Sequence, residues 1–283
     1  FGRALVPTIE KYVAQVDAAV RKRLTPFFYT EPGEVWWADE KERAAREFKA
    51  KEIIDRGPAK QDSTKNCYLW CRVMPCAKCG LNVPLSTNFH IVTKKGKPEA
   101  AVAAFPEVPA HGNDCTFRIV GAAEWKDCKW PRLGDDPWHP RNTPTFKDGH
   151  ALCPRCGTVI DESDVKKTAQ ARPGGLPCQI YAVCSQVPVK LTYRDDTTKV
   201  RYLWRFRAPT DADLAAVAAA EAELRANEAR WASLIPTEKI EEGEKTREPT
   251  NMGLTRWRDL FLPRQLLTVL TVLDEVRQAS TKA

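Results

Sequence analysis

Pro75-Cys76-Ala77-Lys78-Cys79-Gly80 and Cys153-Pro154-Arg155-Cys156-Gly157 decide how this chain folds, and residues 80–152 lie between their inner cysteines. Each has the form of a zinc knuckle. The two-residue gap lets both thiolates of a tight turn face one ion, and the glycine after the second cysteine admits a left-handed backbone through which amides approach the sulfurs. Two knuckles supply four soft thiolates, the set that zinc holds tetrahedrally. Cys76, Cys79, Cys153 and Cys156 are therefore predicted to bind one structural Zn2+ ion. The separation is wide for a zinc ribbon, but an insertion between two hairpins absorbs it, because loop-closure entropy grows only logarithmically with length. A redox Cys-x-x-Cys would call for one pair beside a βαβ unit rather than two glycine-terminated pairs. Four thiolates also close the shell, which leaves no position for an activated water and argues against hydrolytic or deaminating zinc.

The rest of the chain divides by texture. Ile9, Val13, Val16, Val20 and Leu24 mark one face of a helix opened by Pro7 and running to about Leu24. After Thr30-Glu31-Pro32-Gly33, residues 38–55 read as a mostly solvated helix rich in Ala, Glu, Lys and Arg, stopped by Gly57-Pro58. From Asn66 come short β-prone runs: Cys67–Val73, Val83–Val92, Thr116–Val120, Gln179–Val183, Val187–Tyr193 and Val200–Phe206. Between 93 and 150 the abundance of Pro, Gly, Asp and Asn around Trp125, Trp130 and Trp138 predicts short strands and long loops. Thr210 with Asp213 resembles a capping box for a helix over 211–232, residues 236–250 form a polar connector, and Pro263 opens a helix with Leu266, Leu267, Leu270, Leu273 and Val276 on one stripe. The expected class is α+β: an N-terminal helical segment over 1–60, a β-rich zinc-ribbon domain with a long insertion over 61–208, and a helical C-terminal segment over 209–283.

Composition narrows the setting. A chain of 283 residues has room for two medium domains, and its 43% hydrophobic and 29% charged residues are ordinary for a globular protein. No apolar run approaches the roughly 20 residues needed to cross a bilayer, and no signal or transit pattern opens the chain. A cytoplasmic location and no membrane partner are expected. The first residue is Phe1 rather than Met, which reads as a piece of a longer chain. Ten cysteines, four of them in metal-type pairs, fit a reducing compartment, and a net charge of +7 permits nucleic-acid contact without requiring it.

The remaining cysteines have a plainer reading. Cys67, Cys71, Cys178 and Cys184 fall on strands as small apolar core residues. His111, Cys115, Cys128 and His139 could form a second metal site only through irregular spacing and long loops, while His90 and His150 read as polar neighbours of the ribbon. The sequence has no phosphate-binding Gly-x-x-x-x-Gly-Lys-Ser/Thr loop, no dinucleotide Gly-x-Gly-x-x-Gly and no Gly-x-Ser-x-Gly elbow. Asp135-Asp136-Pro137-Trp138 has a superficial likeness to the Asp-Pro-Pro-Tyr/Trp loop that grips a flipped base, but lacks the second proline and reads as a surface turn.

Several segments together are familiar: Leu69-Trp70-Cys71-Arg72-Val73-Met74-Pro75-Cys76 through Cys79-Gly80 to Val83-Pro84-Leu85, then Gly149 to Thr158, and Gly253-Leu254-Thr255-Arg256-Trp257-Arg258-Asp259-Leu260-Phe261 with Pro263-Arg264-Gln265-Leu266-Leu267. The chain resembles the middle region of the adenine-specific DNA methyltransferases that carry a zinc-ribbon insert. The resemblance covers most of residues 1–24 and 66–278. It implies S-adenosylmethionine as the methyl donor and DNA as a partner, with partner proteins of a defence or modification system. The family's Gly-rich cofactor motif would precede Phe1 and its catalytic loop would follow Ala283, so only the four cysteines carry over residue by residue. No catalytic residue does, and this piece alone is expected to be inactive. A different class of function remains open: a non-catalytic zinc-ribbon adaptor that binds nucleic acid or a protein. Arg256, Trp257, Arg258 and Arg264 are candidate contacts in either case, with arginines for phosphate and Trp257 for stacking. Their plain alternative is a helix entry where Trp257, Leu260 and Phe261 pack inward and the arginines are solvated.

Overall fold

A computed structural model describes residues 2–28, 53–58, 65–93, 101–193 and 197–280. In chain order the elements are helix α1 (Gly2–Leu24); strands β1 (Ile53–Pro58), β2 (Lys65–Pro75), β3 (Asn82–Leu85), β4 (His90–Val92), β5 (Val102–Glu107), β6 (Thr116–Gly121), β7 (Phe146–Lys147), β8 (His150–Leu152) and β9 (Val159–Ile160); helix α2 (Glu162–Gln170); strands β10 (Cys178–Tyr193) and β11 (Thr198–Arg207); and helices α3 (Asp211–Ala226), α4 (Arg247–Asn251) and α5 (Pro263–Ser280). The class is α+β, with helices at both ends of a β-rich middle. Two compact units result: a helical one that joins α1 to everything from Thr210 onward with the short segment Gln170–Gly175, and a β-rich one.

The β-rich unit is organised by β10. Val183–Gln186 pair with β2 on one edge and β11 on the other, while Val189–Thr192 pair with β1 and β11. β2 and β1 therefore follow one another along the same edge. Pro188, which has no N–H to donate, sits between the residues claimed by β2 and those claimed by β1. The two runs expected over 179–183 and 187–193 are in fact this single strand, since the proline falls where it interrupts neither pairing. Conversely, the run expected over Val83–Val92 splits into β3 and β4 in different sheets. Ser86 Oγ donates to the Asn88 carbonyl at 2.9 Å, and Asn88 Oδ1 accepts from the His90 amide at 3.0 Å, so side chains take over the backbone's bonds there and turn it.

The described part of the insertion, residues 101–150, is more regular than its composition suggests. β4, β5 and β6 form a second antiparallel sheet, and β5 is buried along Val102–Pro106. A strand covered on both faces reads as a continuous apolar run rather than an alternation, which is why it was missed. Phe89, Phe105, Trp130 and Trp138 interlock over this sheet, with the Phe105 and Trp138 rings 5.0 Å apart, and Trp130 Nε1 donates to the Pro106 carbonyl at 2.7 Å. Helix α2 also escaped prediction, because only Val165 and Ala169 of its polar sequence are buried.

The helix expected over 38–55 lies mostly outside the described residues, but its end is corrected. Ile53–Pro58 form a strand on β10, with Gly57 opposite Lys190 and Pro58 opposite Val189, because a long unpaired edge outweighs local helix propensity. In the helical unit α1 begins at Gly2, not Pro7; a proline this close to the start deprives only the Arg3 carbonyl of its partner. Helix α3 ends at Ala226 rather than 232: Asn227 Nδ2 donates to the Glu223 carbonyl at 3.0 Å, and the chain then winds tightly to bury Trp231. At its start buried Asp213 accepts from the Thr210 amide and hydroxyl at 2.8 and 2.9 Å. Leu24, Leu224, Trp231, Ile235, Leu266, Leu267 and Leu270 form the core, while Leu273 and Val276 stay exposed.

Trp130→Ala should remove a ring from the interlocked aromatic group and lower unfolding stability by about 3–5 kcal/mol. The exposed Trp257→Ala should change it by less than about 0.5 kcal/mol. Urea titrations followed by circular dichroism distinguish the two; equal losses would show that the aromatic group does not anchor the unit.

Candidate metal centre

Both knuckles are hairpin turns. β2 and β3 pair from Arg72 opposite Leu85 to Pro75 opposite Asn82, and the chain between them is the first knuckle; β8 and β9 pair Leu152 with Val159 around the second. The hydrogen bonds repeat. Gly80 N donates to Cys76 O at 2.8 Å and Cys76 N to Leu81 O at 2.8 Å; Gly157 N donates to Cys153 O at 2.9 Å and Cys153 N to Thr158 O at 3.0 Å. Gly80 and Gly157 have φ of 74° and 72°, the left-handed conformation that a side chain would strain. The glycine that follows each Cys-x-x-Cys is thus a geometric requirement of the turn.

The turns bring four sulfurs together. All four ligand atoms lie within 4.8 Å of one another, with Cys76 Sγ 3.7 Å from Cys156 Sγ and Cys79 Sγ 3.5 Å from Cys153 Sγ. A tetrahedron with Zn–S of about 2.3 Å requires sulfurs about 3.8 Å apart, so the donor set fits zinc in both softness and size. Cys76 and Cys153 are buried and Cys79 and Cys156 half-buried. Burial pushes the Cys76 and Cys153 thiols up, whereas Cys156, against its own desolvation, is held at about 6 by hydrogen bonds from the Thr158 hydroxyl and amide and by Cys153 and Cys79. The Thr158 hydroxyl lies 3.1 Å from Cys156 Sγ. A cation at the centre supplies the charge that lets the buried thiols ionise.

Around the thiols are ties that the sequence did not reveal. Arg155, inside the second knuckle, donates to Cys79 O at 3.4 Å, Pro109 O at 3.0 Å and Gly112 O at 2.7 Å, binding the first knuckle and the insertion to the second. Buried Thr145 accepts from the Ser86 amide at 3.1 Å and donates to the Pro84 carbonyl, while its own carbonyl accepts from Leu152 N at 2.8 Å. It thereby stitches the first hairpin to the second. An isolated Thr in a loop carries no sequence signal for this; Arg155 could be found only through its place between two ligands.

The other candidates go elsewhere. Among the described residues the four cysteines are the one group placed to hold a metal, and His111, Cys115, Cys128 and His139 do not assemble. Cys128 is buried, its thiol donating to the Glu124 carbonyl at 3.5 Å. His139 Nδ1 accepts from the Arg141 and Asn142 amides at 3.2 Å each, and its ring packs 5.0 Å from Trp125 and 5.9 Å from His90. His150 Nδ1 faces Asp161 at 3.5 Å. Cys71 and Cys184 are buried strand thiols pushed up to about 12 by burial, as expected for inert core residues, but Cys178 is half-buried and Cys67 exposed. Asp135 and Asp136 are exposed as in a surface turn, yet Trp138 beside them is buried in the aromatic group.

The Arg256–Phe261 segment departs from its packing reading in the aromatics, while Arg256 is exposed as that reading has it. Trp257, Leu260 and Phe261 are 44%, 44% and 39% exposed, so they do not staple the helix entry. The arginines are each tied to a neighbouring segment. Arg256 donates to Thr237 O at 2.5 Å, Arg258 pairs with Glu228 at 2.8 Å, and the Arg264 guanidinium lies 4.5 Å over the Phe28 ring. The planar guanidinium can bond carbonyls and stack on a ring at once, which lets the aromatics turn outward. Compared with family models, characterised proteins and solved structures, the chain matches none of them.

Elemental analysis should find one zinc per chain, absent from Cys153→Ser/Cys156→Ser and retained in His139→Gln. Zinc unchanged in the double variant would remove the assignment. A pH dependence follows from the histidines. Burial first, then neighbouring cationic groups, hold His90 and His139 below the usual 6.5. As pH falls the unfolded chain protonates first, so their contribution is complete above about 6.5 and is lost as pH drops through the lowered folded values. The thermal midpoint should fall from pH 7 to pH 5 more steeply in the parent than in His90→Gln/His139→Gln, the zinc thiolates being common to both.

Proposed function

We propose that this chain is the zinc-ribbon-containing middle region of an S-adenosylmethionine-dependent DNA adenine methyltransferase, in which the metal is structural and the chemistry is supplied by motifs this sequence lacks. The observation that carries the reading is the closed four-thiolate cluster, formed from the same two knuckles and flanking strands on which the family resemblance rests. A shell filled by four sulfurs offers no open position to a substrate, so the zinc organises and does not react.

The residues present do not fit the methyl donor. Among the described residues no Gly-rich turn follows a strand to receive it, and Asp135-Asp136-Pro137-Trp138 has its aromatic ring in the core rather than free for a base. No step of methyl transfer is therefore assigned to this chain. Its part is to hold DNA or a partner, with Trp257 as an outward contact on a loop fixed by Arg256, Arg258 and Arg264, at a cytoplasmic location.

The decisive experiment is transfer of a labelled methyl group from S-adenosylmethionine to adenine in duplex DNA. The product of the complete reading frame that contains these residues should incorporate label, and the 283-residue chain alone should not. Incorporation by the chain alone would overturn the division of labour. A complete product that binds DNA but never methylates it would select the adaptor reading.

A further inference from the structure

Strand β11 reads Thr198-Lys199-Val200-Arg201-Tyr202-Leu203-Trp204-Arg205-Phe206-Arg207. With β10 it contributes Lys190, Lys199, Arg201, Arg205 and Arg207 without a single Asp or Glu. The register places Phe206 opposite Cys184, Trp204 opposite Gln186, Tyr202 opposite Pro188 and Val200 opposite Lys190, so these residues share one face of the hairpin. At one end Phe206 and Cys184 are buried in the core of the β-rich unit. From there the face runs out to the surface, where Trp204, Tyr202 and Val200 are 37%, 42% and 45% exposed and Lys190 is exposed beside them.

Basic residues on an edge strand have an ordinary explanation, protection against edge-to-edge aggregation. That explanation does not cover two large aromatics presented outward on the same strand. By the same alternation Lys199, Arg205 and Arg207 fall on the opposite face, so Lys190 is the cation beside the rings. Rings in a row on one face with a cation next to them are a pattern by which sheets hold unpaired nucleic acid, since each base has a π-face to stack and the backbone is attracted by the charge. Side chains two apart on a strand stand roughly 7 Å from one another, leaving room for one base over each ring. Paired bases expose no face to a flat sheet, so the surface suits a strand and not a duplex.

We propose that the β10–β11 face is a binding platform for single-stranded DNA, with Trp204 and Tyr202 stacking on successive bases and Lys190 meeting the phosphates. The choice of DNA rests on the methyltransferase reading, where a strand opened around a displaced base would present such a ligand; the platform itself belongs to this chain.

Anisotropy of a fluorescein-labelled oligothymidylate about 15 nucleotides long, titrated with the zinc-loaded chain, tests it. Binding should weaken with added salt and exceed that for the corresponding duplex and for oligouridylate. Trp204→Ala should weaken it roughly tenfold, with Trp204→Phe retaining most of the affinity and Lys190→Glu lowering both affinity and salt dependence. Zinc content and thermal midpoint, measured for every variant, show whether each is folded; the phenylalanine and glutamate variants carry the test if the alanine variant is not. Absence of binding, affinity unchanged in all three variants, or preference for duplex or RNA would overturn the platform. Methyl transfer by the full-length protein would not rescue it, and its failure would not remove oligonucleotide binding by the chain alone.

Discussion

The shared four-sulfur cluster is the constraint on which the β-rich unit depends. β7 and β9 have two residues each and β8 three, far too little ladder for a hairpin to persist by itself in water. The second knuckle becomes structure by being closed against the first. The entropy of closing a loop over residues 80–152 rises slowly with length, while the free energy of binding zinc through four thiolates is large, so a zinc ion held there would offset closure with margin to spare. Once closed, Arg155 and Thr145 find carbonyls and amides on the opposite side, and their hydrogen bonds add direction to a joint that the metal alone would leave free to pivot.

The same closure gives the insertion its fold. Between the knuckles the chain forms the β4-β5-β6 sheet with Phe89, Phe105, Trp130 and Trp138 packed upon it. Its entry and exit are held by the ribbon: Asn82 N donates to Asn113 O at 2.7 Å, and Thr145 N to Ser86 O at 3.1 Å. A segment whose composition reads as loop is thus a second core, held at both ends by the two cysteine hairpins.

Function is left to surfaces. The buried thiols of Cys71 and Cys184 are raised by burial, while several aromatic side chains are displayed at the surface. In the helical unit Arg256, Arg258 and Arg264 are tied to Thr237, Glu228 and Phe28 while Trp257 is exposed; in the β-rich unit Tyr202 and Trp204 are exposed along a strand free of acidic residues. Both arrangements present aromatic area at little conformational cost.

By itself the sequence determined what depends on local pattern: the two knuckles with their glycines, the α+β class, the helix opened by Pro263 with its leucine stripe, and the cap at Thr210 and Asp213. Each of these is written within a few residues, because turn geometry, helix period and capping are short-range. Tertiary structure decided the rest. It joined two β runs across Pro188, because only the neighbouring strands show that no partner is broken there. It made Gly57-Pro58 a strand, because β10 offered an edge that no local signal announces. It tied the arginines at 256–264 to Thr237, Glu228 and Phe28, which lie far away in sequence, and left Trp257, Leu260 and Phe261 exposed. And it closed four sulfurs to within 4.8 Å, a distance to which spacing could point but that only the stacked hairpins set.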